Sequence, residues 1–261
     1  MSAGAVFQEA LRITNRQPLS PKTQRAVFAA LEAGRPGPLA FLYEAGAEAG
    51  VPRTQLLLRA AALFFNFCAA NLADDLTDGD CTYLSPPFRL GPHVQFVLHN
   101  LLFSTLAEAK IPHSILAAAT QDLLLLGAGQ VVEVQIQRWN AALFREVGEQ
   151  ISGRQWSAYL RILWSGTKLA SRGATIGMHT AIAGHVAEDI RSADPRYLSL
   201  SVADKHAIVA WASASAEVLR KERLHCLDAV LSGIDPILRT ALLPRRRTKG
   251  GHHPPFTRLP A

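Results

Sequence analysis

At 261 residues, 49% of them hydrophobic, the chain can bury a large core as one large domain or two small ones. The formal charge of +6 is concentrated at one end: five of the 27 Lys and Arg fall in residues 244–261, which hold no acid, and 21 Asp and Glu nearly balance the rest. A neutral body excludes a nucleic-acid surface built on charge. Three cysteines (Cys68, Cys81, Cys226) without metal-ligand spacing exclude a disulfide framework and point to a reducing, cytoplasmic setting.

Residues 1–11 lack the charged start and continuous apolar core of a signal peptide. Residues 6–14 and 22–33 carry apolar side chains at helical spacing, with Pro18 and Pro21 between them. Ser20-Pro21 is a helix start, a cap followed by proline at the first position. Residues 33–38 break the pattern with two glycines and two prolines. A third helix is predicted over 39–50, and Val51-Pro52 interrupts before a long apolar run, 56–72. That run is long enough to raise the question of a membrane span. It contains Arg59, Asn66 and Asn71 and ends in acids, so a buried helix of a bundle fits better and no transmembrane segment is expected.

The run leads directly into Ala73-Asp74-Asp75-Leu76-Thr77-Asp78-Gly79-Asp80. On a helix Asp74 and Asp78 share a face, and Asp75 lies about 100° round from Asp74. Carboxylates crowded at a helix C-terminus repel each other and the helix dipole alike. A hard divalent cation such as Mg²⁺, with oxygen ligands and a phosphate partner, compensates them, which makes Asp74, Asp75 and Asp78 candidate metal ligands. The alternative is a solvated charge cluster at a helix end.

Residues 81–92 read as a proline-rich loop, 93–110 and 114–138 as helices, and 152–184 as one long helix or two, with Gly166, Gly173 and Gly177 as weak points. Residues 189–201 read as a polar connection around Asp194-Pro195, and 202–231 as one more helix. No alternating strand pattern and no fixed repeat is present, so the expected architecture is all-α, a single bundle of roughly ten helices. Residues 1–243 are expected to form it, and the basic tail 244–261 to be disordered. His93, His99, His179 and His185 read as packing or surface histidines, and the four tryptophans as core.

The acidic stretch resembles the first aspartate-rich motif, D-D-x-x-D, of the trans-polyprenyl synthase family, which has the class I isoprenoid synthase fold. The resemblance spans roughly residues 34–231. It implies that Asp74, Asp75 and Asp78 hold Mg²⁺ ions that grip the diphosphate of an allylic substrate while its C–O bond ionises. Gly129-Gln130-Val131-Val132-Glu133 is similar to the family's G-Q-x-x-D segment, with Glu in place of Asp; Gln130 and Glu133 share a helix face.

Residues 159–177 resemble the segment around the family's Lys-Thr pair. Thr167 is in register, Gly166 takes the lysine position, and Lys168 follows one place late. Arg35, in Gly34-Arg35-Pro36, resembles a fragment of the loop that holds the homoallylic diphosphate, and between 79 and 89 the one basic residue is Arg89. The facing, second aspartate-rich motif is expected near residue 220, where Glu222 and Asp228 stand six apart among Arg220, Lys221 and Arg223.

The resemblance implies an Mg-dependent prenyltransferase, acting as a homodimer or heterodimer, that condenses isopentenyl diphosphate with an allylic prenyl diphosphate. Small Ala69 and Ala70 before Asp74, with Phe64, Phe65 and Phe67 deeper, imply a medium-chain, geranylgeranyl-type product. The alternative is a non-catalytic or regulatory prenyl-diphosphate-binding homologue that partners a catalytic subunit. A terpene cyclase ranks behind both, because residues 209–225 lack its Asn/Ser/Glu triad.

Overall fold

A computed structural model describes residues 3–35 and 37–242; the basic tail and Pro36 lie outside them. Twelve α-helices and one π-turn, with no strand, make up the described residues. They are α1 (Ala3–Asn15), α2 (Pro21–Ala33), α3 (Leu39–Glu48), α4 (Arg53–Asp78), α5 (Pro87–Glu108), α6 (His113–Glu133), α7 (Ala141–Gly148), the π-turn (Glu149–Gly153), α8 (Arg154–Leu163), α9 (Gly173–Ser192), α10 (Pro195–Ser199), α11 (Val202–Glu222) and α12 (His225–Leu242).

The start signals act through side chains that accept the orphan N–H groups of a first turn. Ser20 Oγ accepts from Thr23 N, Asn140 Oδ1 from Leu143 N, and Ser201 Oγ from Asp204 N. Gly79 ends α4 at φ +81, a conformation that glycine takes without Cβ strain.

The long apolar run is the centre of the bundle. Over 26 residues, about 39 Å at 1.5 Å per residue, α4 packs most extensively on α5 and also meets α1, α2, α3 and α8. A helix surrounded in this way is apolar on all sides. Its two buried polar residues, Arg59 and Asn66, bond to α8 and the turn after it. The buried Arg59 guanidinium donates to Leu163 O (3.1 Å) and Ser165 O (2.7 Å), carbonyls at and just past the end of α8. The fully buried Tyr159 hydroxyl donates to Asn66 Oδ1 at 2.9 Å and accepts from Gln155 Nε2 at 3.0 Å. Left unpaired, any of these groups would cost about 1–3 kcal/mol.

By length and composition α4 and α6 could each cross a membrane. α4 is mostly buried in the bundle, and α6 carries Asp122 mid-helix, bound by Arg154 (3.1 Å) and Arg161 (3.4 Å) and by Ser157 Oγ (3.1 Å), all of α8.

Several boundaries differ from the sequence reading. α5 begins at Pro87, not after Pro92, because proline is at ease in a first turn; Pro92 lies one turn further in, where the orphaned Phe88 carbonyl is on an exposed residue. The stretch 152–184 breaks between Leu163 and Gly173, through a turn with Gly166 at φ +76. Gly173 and Gly177 are contacts and not weak points: a Cβ on either would strike the α8 backbone at Leu160 or Trp156. α9 continues through Asp189 to Ser192, and α7 occupies a stretch read as unassigned. The stretch 202–231 is two helices, because the Glu48 carboxylate from α3 accepts from His225 N (2.7 Å) and Cys226 N (2.9 Å) and starts α12. A cap from 177 residues away leaves no local signal.

Candidate functional site

Two adjoining cavities, of about 520 and 340 Å³, open beside the C-terminal end of α4 and share Asp74, Gln130, Glu133, Asp194 and Arg196. One face of α4 lines them from top to bottom: Asp78, Asp74, Ala70 and Phe67. At helical rise this stripe covers about 16 Å and grades from carboxylate to apolar. α6 contributes Gln130 and Glu133. The π-turn and α8 contribute Ile151, Ser152 and Gln155, and α9 and the turn after it contribute His185, Glu188, Asp189, Ser192 and Asp194.

The cavity wall opposite the first acids is therefore the end of α9. Val186-Ala187-Glu188-Asp189 ends an apolar helix as Leu72-Ala73-Asp74-Asp75 ends α4, and both helices close on a left-handed residue, Gly79 and Ala193. The acids expected to face Asp74, near residue 220, lie elsewhere. Glu222 pairs with Arg172, Arg220 with Glu217 and Asp235, and Asp228 is exposed. An apolar helix running into Glu188-Asp189 was the available signal for the facing wall. The signal is weaker than the first, because two adjacent acids are followed by Ser192 where the first stretch has a third acid, Asp78.

Of the residues singled out from sequence, Asp74, Asp78, Gln130 and Glu133 meet in the cleft. Asp75 is turned towards the loop after α4: its Oδ2 accepts from Tyr83 Oη (2.7 Å) and Asn71 Nδ2 (2.9 Å). Arg35 pairs with Glu32 at 3.3 Å and stacks 4.9 Å over the Phe7 ring, and it lines neither cavity.

Thr167 and Lys168 lie in the turn after α8. Thr167 Oγ1 donates to Trp164 O (2.8 Å) and accepts from Leu169 N (3.1 Å), and Lys168 is exposed. That turn is anchored by Arg59, fifteen residues before Asp74 and so about 22 Å away along α4. No residue of 159–177 lines either cavity; Ile151, Ser152 and Gln155, which precede it and do reach the cleft, carry no charge.

Carboxylates dominate the electrostatics. Partial burial, then the charges of Asp78 and Glu133, push the Asp74 carboxyl up to about 6, with Arg196 opposing. Asp74 still reaches solvent at the cavity mouth, so its dehydration is incomplete. Burial pushes the Asp189 carboxyl up to about 7, again against Arg196, and pushes the His185 imidazole down to about 4. His185 is therefore neutral at neutral pH, its Nε2 3.5 Å from Asp189 Oδ2.

Burial alone would lower the Arg196 guanidinium. Its bonds to Asp194 and the charges of Glu133 and Asp189 outweigh this and hold it above its usual range. The same contacts outweigh burial at Asp194 and hold that carboxyl below the ordinary value.

Among the described residues no three Asp, Glu, His or Cys side chains are already gathered into a metal centre. The chemistry of the donor set still fits a hard cation on the α4 wall. Asp74 and Asp78 offer oxygen ligands to an open cavity, and their mutual repulsion is what such an ion relieves.

No protein-family model matches the sequence, and no curated protein matches it. Solved structures do match. Geranyltranstransferase from Thermotoga maritima superposes with a TM-score of 0.73 at 15% identity, over 92% of this chain and 98% of that one. An isoprenoid synthase family member from Thermotoga neapolitana gives 0.70 at 15% identity, over 92% and 98%. Geranyltransferase from Legionella pneumophila gives 0.68 at 17% identity, over 92% and 94%. The chain has the all-α fold of the trans-polyprenyl synthases.

Proposed function

We propose that the cleft binds an allylic prenyl diphosphate and condenses it with isopentenyl diphosphate to a medium-chain polyprenyl diphosphate. The observation that carries this reading is the graded face of α4. Asp78 and Asp74 stand at the mouth and Ala70 and Phe67 below, an arrangement matched to an anionic head on an apolar chain. Asp74 and Asp78 would hold Mg²⁺, which supplies charge neutralisation of the diphosphate leaving group. Gln130 offers an amide N–H₂ to a phosphate oxygen from α6. Phe67 is the floor, because Phe64 and Phe65 are fully buried in the core and leave it as the one of the three that reaches the cavity.

The proposed assembly is a dimer. Phe96 and Phe103, seven apart on α5, and Leu124 and Val131, seven apart on α6, are all exposed, and less than a quarter of the apolar window of α6 is buried (22%). A second subunit covering these faces supports a homodimer or heterodimer. Three free, buried cysteines support a cytoplasmic location.

One observation favours the second reading, a diphosphate-binding subunit without turnover of its own. Among the described residues lining the two cavities, Arg196 is the one permanent cation, whereas two diphosphates would have to be held for condensation. Incubating purified protein with radiolabelled isopentenyl diphosphate, allylic diphosphates and Mg²⁺ separates the two. Elongated product supports the first. A folded protein that binds the allylic diphosphate and forms no product supports the second.

A further inference from the structure

Arg196 occupies an unusual place. It starts α10 beside Pro195, and its backbone N–H donates to Asp194 Oδ1 at 2.7 Å, so the residue is tied down before its side chain reaches the cleft. Nε and a terminal nitrogen then meet the two oxygens of Asp194 at 3.0 and 2.9 Å, a fork-to-carboxylate pair. The other terminal nitrogen pairs with Glu133 of α6, and Asp189 Oδ1 of α9 lies 3.8 Å from the terminal nitrogen that meets Asp194.

Three carboxylates from three segments thus converge on one guanidinium, as they would on a hard metal ion. The cluster is also incomplete. The Asp189 side chain is only 5% exposed, its Oδ2 has no hydrogen-bond partner, and His185 Nε2 lies 3.5 Å from it. An acceptor buried to this degree is costly unless something positive or a donor meets it.

We infer that Arg196 is a built-in counter-cation that takes the place of a divalent ion on the α9 wall. A bound head group would then be met by metal from Asp74 and Asp78 on one side and by a guanidinium on the other. The inference deepens the proposed function and rests on it for the identity of that head group as a diphosphate. Its physical basis is the charge balance of the wall itself. Glu133 and Asp194 are already paired with Arg196, so a second cation would have to displace the guanidinium to gather the carboxylates of this wall.

The test is a Mn²⁺ titration of the whole chain, free Mn²⁺ being read by electron paramagnetic resonance, with and without inorganic pyrophosphate. The native protein should bind Mn²⁺ at the α4 wall alone, with all binding lost in Asp74→Asn. Arg196→Ala should bind at least one further Mn²⁺ per chain, and Arg196→Lys should keep the native count. An alanine variant with native helical circular dichroism and no added Mn²⁺ would overturn the inference, as would a lysine variant that binds more. If Arg196→Ala is unfolded without metal, its recovery on adding Mn²⁺ counts for the inference, and failure to recover counts against it. A native chain that binds neither Mn²⁺ nor pyrophosphate, beside an alanine variant that gains Mn²⁺, would defeat the diphosphate reading and leave the counter-cation standing.

Discussion

Replacing Asp74 by Asn removes charge from the most crowded position at the mouth of the cleft and should move stability in opposite directions with and without metal. Burial, Asp78 and Glu133 together hold the Asp74 carboxyl at about 6 against an ordinary 3.8. Counted in full, that displacement corresponds to roughly 3 kcal/mol. Asp74 reaches solvent, however, and screening reduces the figure to about 0.5–1 kcal/mol. For a chain of this size each kcal/mol moves Tm by roughly 2–4 °C, so metal-free Asp74→Asn should melt about 1–4 °C above the native protein.

With Mg²⁺ at a hundred times its dissociation constant the native protein gains about 2.7 kcal/mol, or roughly 5–10 °C, and the variant gains nothing. Asp75→Asn is the control. Its carboxylate is held by Tyr83 and Asn71, so the variant should lose about 1 kcal/mol and keep the Mg²⁺ increment. Differential scanning calorimetry with and without MgCl₂ measures both quantities. An Asp74→Asn protein that retains the Mg²⁺ increment, or melts lower without metal, would refute the assignment of the cation to Asp74.

Three further outcomes follow from the packing and the charges. Asp122→Ala strips the buried acceptor of Arg154, Arg161 and Ser157 from the α6–α8 seam; its half-exposed arginines can rehydrate, so the cost should be about 2–3 kcal/mol, read from urea denaturation midpoints. Ala70→Phe fills the cavity one turn below Asp74 and should shorten the prenyl product, as chromatography of the dephosphorylated alcohols would show; unchanged length would remove Ala70 from the chain's path. Asp189 should contribute a loss of stability to the metal-free protein as pH rises from about 4 to about 7, against the opposite slope from His185, which is held near 4. Asp189 has a folded-state value near 7 against 3.8, so it takes up a proton on folding within that window; its stabilising contribution is complete below 3.8 and gone above 7. Asp189→Asn should flatten this slope in thermal melts across the pH range.

How much of the site was legible depends on how local its signals are. Asp74, Asp78, Gln130 and Glu133 lie at helix ends with a recognisable spacing, and a helix converts spacing directly into a shared face. Thr167 and Lys168 fall past the end of α8 and line neither cavity. The deciding feature was the break after Leu163, which is set by Arg59 gripping two carbonyls from another helix, a contact across 104 and 106 residues.

By itself the sequence determined the all-α class, the central buried helix and the run of acids that ends it, because periodicity, caps and charge repulsion act within a few residues. Tertiary structure alone decided which acids face one another. It turned Asp75 away to Tyr83, sent Glu222 to Arg172, and brought the end of α9 up to the end of α4 with Arg196 between the walls. The reason is physical: the balance of charge in a cleft is set by groups far apart in the chain, and only packing fixes their distances.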